Sequence, residues 1–129
     1  MSAAEPEWRQ WLAKADNDLL NIQNNLASRE IPWDTVCFHA QQAAEKMFKA
    51  LIVHDGGTPN RTHDLVALLA ACSASNPELR QLENDCRTLS LLATRVRYPD
   101  DFLQLNETMA RDALTKSQTI CNRIRGLLK

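Results

Sequence analysis

The segment Phe38-His39-Ala40-Gln41-Gln42-Ala43-Ala44-Glu45-Lys46-Met47-Phe48-Lys49-Ala50-Leu51 constrains the fold of this chain more than any other. Advanced at the α-helical period, it places Val36, Cys37, Ala40, Ala43, Ala44, Met47, Phe48, Leu51 and Ile52 on one face. His39, Gln42, Lys46 and Lys49 fall on the opposite face as a strip of hydrogen-bonding and cationic groups. The small alanines let neighbouring helices approach closely, so the segment reads as the central helix of a bundle. Gln41 is the one polar side chain inside the apolar stripe. An amide there must find partners or lose about 1–3 kcal/mol, which predicts a bridge to a neighbouring helix or to backbone freed near Pro99.

Periodicity extends the same architecture in both directions. Trp8, Trp11, Leu12, Ala15, Leu19, Ile22 and Leu26 form one face of a first helix over about 7–28, with Lys14, Asp16, Asn17, Asp18, Asn21 and Asn24 opposite. Pro32 interrupts, and Asp34 is placed to cap the central helix, about 34–54. Asp55-Gly56-Gly57-Thr58-Pro59-Asn60 is a loop, with two glycines able to take left-handed geometry. Thr62 or Asp64 caps a short helix that buries Leu65, Leu68, Leu69 and Cys72. Ser75-Asn76-Pro77-Glu78 starts a fourth, through a Ser75–Glu78 capping box or an Asn76 cap with Pro77 at the first helical position. The fourth helix carries Leu79, Leu82, Cys86, Leu89, Ala93 and Val96 inward and stops at Pro99. Asn106 caps a last one that buries Met109, Ala110, Ala113, Ile120, Cys121 and Ile124. With no sustained period-two alternation, the prediction is an all-α, up-and-down antiparallel bundle of four long helices and one short one.

At 129 residues the chain reads as one domain, long enough to bury roughly two thirds of its unfolded surface. A net charge of −1 argues against nonspecific polyanion binding as the main task, so any nucleic-acid contact is local. Cys37, Cys72, Cys86 and Cys121 fall one to a helix without the close pairs of zinc sites, and read as reduced core thiols. His39, His54 and His63 form no i, i+4 pair, so no metal site and no cofactor is expected. No apolar run is long enough for a membrane span and no leader is visible, which predicts a cytoplasmic protein.

Three groups of residues could carry chemistry. The strip of His39, Gln42, Lys46 and Lys49 could present donors to a phosphate or a base, the alternative being a solvated face of ordinary lysines. Phe38 beside it suits a dimer contact. Arg61-Thr62-His63-Asp64 opens a helix and could hold phosphate with Arg61, His63 and backbone amides, or Asp64 could merely cap the helix and pair with Arg61 or His63. Arg95, Arg97 and Tyr98 form a second compact group, equally explicable as cations that complement a helix dipole. Gln41, Asp64 and Asp100 are read as structural polar residues.

Phe38 to Lys46 with Lys49-Ala50-Leu51, then Arg61-Thr62-His63-Asp64-Leu65, then Arg97-Tyr98-Pro99-Asp100, closely resembles the HEPN domain, the higher eukaryote and prokaryote nucleotide-binding family. The resemblance spans roughly residues 8–127, with Trp11-Leu12 and Lys14-Ala15 through Asp18-Leu19 similar to the start of the domain. It implies a helical bundle, usually a homodimer, often encoded beside a minimal nucleotidyltransferase in a toxin–antitoxin-like pair. It also implies a nucleotide or RNA ligand. Some members are metal-independent ribonucleases, in which a histidine separated from an arginine by four to six residues does acid–base work on the 2′-hydroxyl. Here the eligible positions after Arg97 are Phe102, Leu103 and Gln104, after Arg95 Asp100, Asp101 and Phe102, and after Arg61 Val66, Ala67 and Leu68. No other arginine succeeds. The expectation is therefore a noncatalytic module, with a rearranged site joining His39 or His63 to Arg95 or Arg97, or a purely structural dimer, as alternatives.

Overall fold

The computed structural model describes residues 6–96 and 105–129, with side chains 94–96 outside that description. Five α-helices follow in order: α1 (Glu7–Leu26), α2 (Trp33–His54), α3 (Leu65–Ser73), α4 (Glu83–Val96) and α5 (Glu107–Arg125). A 3-10 turn, Pro77–Leu82, leads directly into α4. The fold is all-α, with no strand among the described residues.

Helix α2 packs against all four other helices, which explains its composition. Val36, Cys37, Ala40, Ala43, Ala44, Met47, Phe48 and Leu51 are buried, and Ile52 is half-buried. The alanines admit close neighbours: the Ser117 hydroxyl of α5 reaches across to donate to the carbonyl of Ala40 at 2.6 Å. Burial does not stop at the apolar stripe. Gln41, Glu45 and Lys49 are also buried, because α1 covers the side of α2 that a two-sided helix would turn to water.

The connections differ in places from their sequence-level reading. Helix α2 starts one residue early, after Pro32, so Asp34 lies inside the first turn, its carboxylate accepting from the Thr35 amide. After α2 the Gly56 amide donates to Val53 and the Gly57 amide to Ile52, the paired bonds of a Schellman closure. Only Gly56 takes left-handed geometry, at φ 92°. Gly57 is small for another reason: a Cβ there would lie 3.1 Å from the Ile52 side chain. Asp64 caps α3, accepting from the Val66 amide at 2.9 Å. Asn76 occupies the cap position before Pro77, but its amide turns back to Asp55 and to the carbonyl of Cys72. Asn106 caps α5 through the Met109 amide. The expected stop at Pro99 lies outside the described residues.

All four cysteines are free and buried. Burial, which penalises the thiolate, pushes Cys37 and Cys121 up to about 11 and Cys72 and Cys86 up to about 12. A group whose pKa is raised by folding contributes stability that is complete below its unfolded value and lost as pH rises towards the folded one. Alkaline titration followed by circular dichroism should therefore show stability falling from about pH 9 upward, with thiolate absorbance appearing only as helicity is lost. Thiolate signal ahead of unfolding would contradict this packing.

Candidate functional site

The chemistry-bearing residues of α2 lie in a polar seam roofed by α1 and the loop before α3. At its centre is Glu45, a carboxylate only 4% exposed. Its Oε1 meets Nδ1 of His63 at 2.9 Å and accepts from Nε2 of Gln41 at 3.3 Å, while Oε2 accepts from Nζ of Lys49 at 3.3 Å. Spacing explains the helical part, since residues 41, 45 and 49 succeed one another at i, i+4 on one face. Gln41 also donates to the backbone carbonyl of His63 at 3.1 Å and accepts from Gln42 at 2.8 Å. Among the described residues the amide thus finds its partners on its own helix and on the loop before α3 and not on a neighbouring helix, while the backbone near Pro99 lies outside them. Lys49 lies over the Trp11 ring at 5.4 Å, joining the seam to α1.

A second carboxylate serves the other half of the strip. Asp18 of α1, 5% exposed, bonds Nδ1 of His39 at 2.7 Å and Nζ of Lys46 at 2.6 Å. The sequence pattern placed Asp18 on the polar side of α1. Its position three residues after Ala15 and four before Ile22 instead sets it beside the buried stripe. His39, Gln42, Lys46 and Lys49 are therefore not an open cationic face: Lys49 is buried, the other three half-buried, and all three charged or ionisable members face a carboxylate of the same chain. Phe38 is half-buried and meets the His39 ring edge-on.

The corner before α3 is more accessible. The His63 side chain is 60% exposed, and Arg61 is exposed. His63 lines a groove of about 540 Å³ between the start of α3 and α4, together with Asp64, Val66, Arg87, Ser90, Leu91 and Ala93. The anticipated backbone cradle is already occupied: the Leu65 amide donates to Ser90 Oγ and the Val66 amide to Asp64. Among the described residues Asp64 caps α3 and no ion pair joins it to Arg61 or His63. Arg95 lies in the last turn of α4, but its side chain, and all of Arg97, Tyr98 and Asp100, fall outside the described residues. No cluster of three or more potential metal ligands occurs among the described residues.

Sequence reasoning missed Glu45, Asp18, Arg87 and Ser90. The i, i+4 run of Gln41, Glu45 and Lys49 along the edge of an apolar stripe was the signal for the first. Nothing local marks Arg87 or Ser90, which come to line one groove with His63 only through tertiary packing.

The chain is an all-α protein built around one central helix. The family model described as HEPN domain matches residues 8–127, and the chain belongs to that family. Similar solved structures include TT1696 from Thermus thermophilus, at 26% identity and TM-score 0.78, covering 95% of this chain and 98% of that one. Another is ST0689, described as an archaeal HEPN homologue, at 25% identity and TM-score 0.74, with the same two coverages. Among curated proteins no significant match was found. Among the described residues no helix is long and apolar enough to cross a membrane.

The two kinds of carboxylate contact predict different costs. Asp18→Ala removes the acceptor shared by His39 and Lys46 and should destabilise the fold by about 1–3 kcal/mol in urea denaturation. Asp16→Ala breaks only the exposed pair with Arg125 and should cost less than about 1 kcal/mol. Equal costs would contradict the difference in burial.

Proposed function

We propose that this chain is a noncatalytic HEPN-type module that binds a nucleotide or a short nucleic-acid segment, acts as a homodimer in the cytoplasm, and works beside a minimal nucleotidyltransferase. The observation that carries the binding part is the groove at the α3–α4 corner. It is lined by His63, whose side chain is exposed, and by Arg87, with Asp64 and Ser90 as further polar residues and Val66 and Leu91 as apolar ones. Its volume falls within the range of small-molecule sites, and an apolar wall beside a cation and a ring nitrogen suits a base attached to a phosphate. Lys46 and Lys49 are neutralised by the buried carboxylates of Asp18 and Glu45, so the attraction for phosphate shifts to the exposed arginines, Arg61 two residues before His63 and Arg87, whose 3.5 Å pair with the exposed Glu83 is open to solvent and weak. The family's arginine-to-histidine spacing is missing from the sequence, which supports the noncatalytic reading.

One observation favours a second reading, a ribonuclease with a rearranged site. A buried Glu45 bonded to Nδ1 of an exposed histidine, with an arginine lining the same groove, is an arrangement that can do acid–base work. Calorimetric titration with adenine and guanine nucleotides and short RNA separates the two. Heat of binding should appear below ~1 mM ligand and weaken about tenfold or more in Arg87→Ala. No heat with any ligand in that range contradicts the binding reading. Cleavage of RNA in the presence of chelator, lost in His63→Ala, would replace it with the enzyme.

A further inference from the structure

We propose that His63 is a covalent modification site whose Nε2 accepts a phosphoryl group from a small donor with a good leaving group. The three histidines of the chain differ in a way that isolates this one. His54 has both ring nitrogens engaged, Nδ1 with Asp55 at 2.9 Å and Nε2 with the backbone of Lys129 at 3.2 Å, and meets Trp8 edge-on. His39 is bonded to Asp18, its side chain only 20% exposed and edge-on to Phe38. His63 combines a side chain 60% exposed with an Nδ1 held at 2.9 Å by a carboxylate that is itself 4% exposed.

That carboxylate does two things. Bonded to Nδ1–H, it leaves the lone pair on Nε2, because the partner of one ring nitrogen decides the state of the other. It also stabilises the positive charge that develops on the ring when Nε2 forms a bond, as an orienting group does for a general base or nucleophile. Glu45 is in turn fixed by Gln41 and Lys49, and Gln41 holds the His63 carbonyl, so ring and backbone are both positioned. Arg87 lines the same groove and is exposed apart from a 3.5 Å pair with Glu83, so it supplies a cation to the groove at the α3–α4 corner.

With phosphoramidate as donor the step is a substitution at phosphorus. The Nε2 lone pair forms the N–P bond, the P–N bond of the donor breaks, and ammonia leaves with that electron pair. The Nδ1 proton stays on the hydrogen bond to Glu45, and nothing is oxidised or reduced. This inference shares the groove of the ligand-binding reading without resting on it, since a chain that binds no nucleotide can still be labelled and the reverse also holds.

The test treats the full chain with phosphoramidate, follows intact mass, locates the label by fragmentation and assigns its isomer by phosphorus NMR. The expected product is one phosphoryl group on Nε2 of His63, formed before any label at His39 or His54. It should form about tenfold or more slowly in Glu45→Gln and be missing in His63→Gln. The rate of labelling at His63 relative to N-acetylhistidine in the same solution keeps the test decisive if Glu45→Gln fails to fold, because a purely structural Glu45–His63 contact would leave Nε2 no more reactive than that model imidazole, and a rate no higher than the model's would overturn the proposal. Label spread over the three histidines, label on Nδ1 of His63, or no label would each overturn the proposal.

Discussion

A carboxylate buried on the central helix of a bundle must be paired, and the pairing of Glu45 organises much of this molecule. An ionised carboxylate removed from water costs several kcal/mol unless donors replace its hydration, and here Gln41, Lys49 and His63 supply them. Two of those donors come from α2 itself. The third comes from the loop before α3, so meeting the demand of Glu45 also docks that loop. The Gln41 bond to the His63 carbonyl reinforces the docking, and the Schellman closure at Gly56 aims the chain towards it. Asp18 repeats the logic on the other side, where a carboxylate of α1 answers a histidine and a lysine of α2.

The consequence for function is a division between cations that hold the fold together and groups that remain open to a ligand. Lys46 and Lys49 belong to the first kind, each bonded to a buried carboxylate. Arg61, the outer edge of His63, and Arg87, whose pair with Glu83 is solvent-exposed, belong to the second. The interior contacts position that edge, and the α3–α4 groove gives it a concave setting with apolar walls.

The helical architecture was readable from the sequence because apolar spacing, proline breaks and caps at Asp64 and Asn106 all point the same way. The family resemblance was readable for a different reason, the ordered motifs around Gln41–Lys49 and Arg61–Leu65, and the match over residues 8–127 bears it out. What periodicity could not show was which polar face would be roofed. A helix with one apolar stripe is expected to turn its other side to water, yet α2 is central enough for α1 to cover part of that side as well, so Lys49 became buried and His39, Gln42 and Lys46 half-buried. Gln41 carried a correct demand for partners, but the partner lay on the loop before α3, and no local pattern specifies such a long-range contact. Arg87 and Ser90 were silent for the same reason.

The claim on which this account turns is that Glu45 fixes the His63 ring by its Nδ1. Nitrogen–proton correlation NMR of the imidazole side chains in the uniformly labelled chain measures it directly. The account predicts a proton on Nδ1 of His63, protected from exchange although the ring is exposed, with its signature lost in Glu45→Gln. A His63 ring protonated at Nε2 alone, with Nδ1 bare, would contradict it.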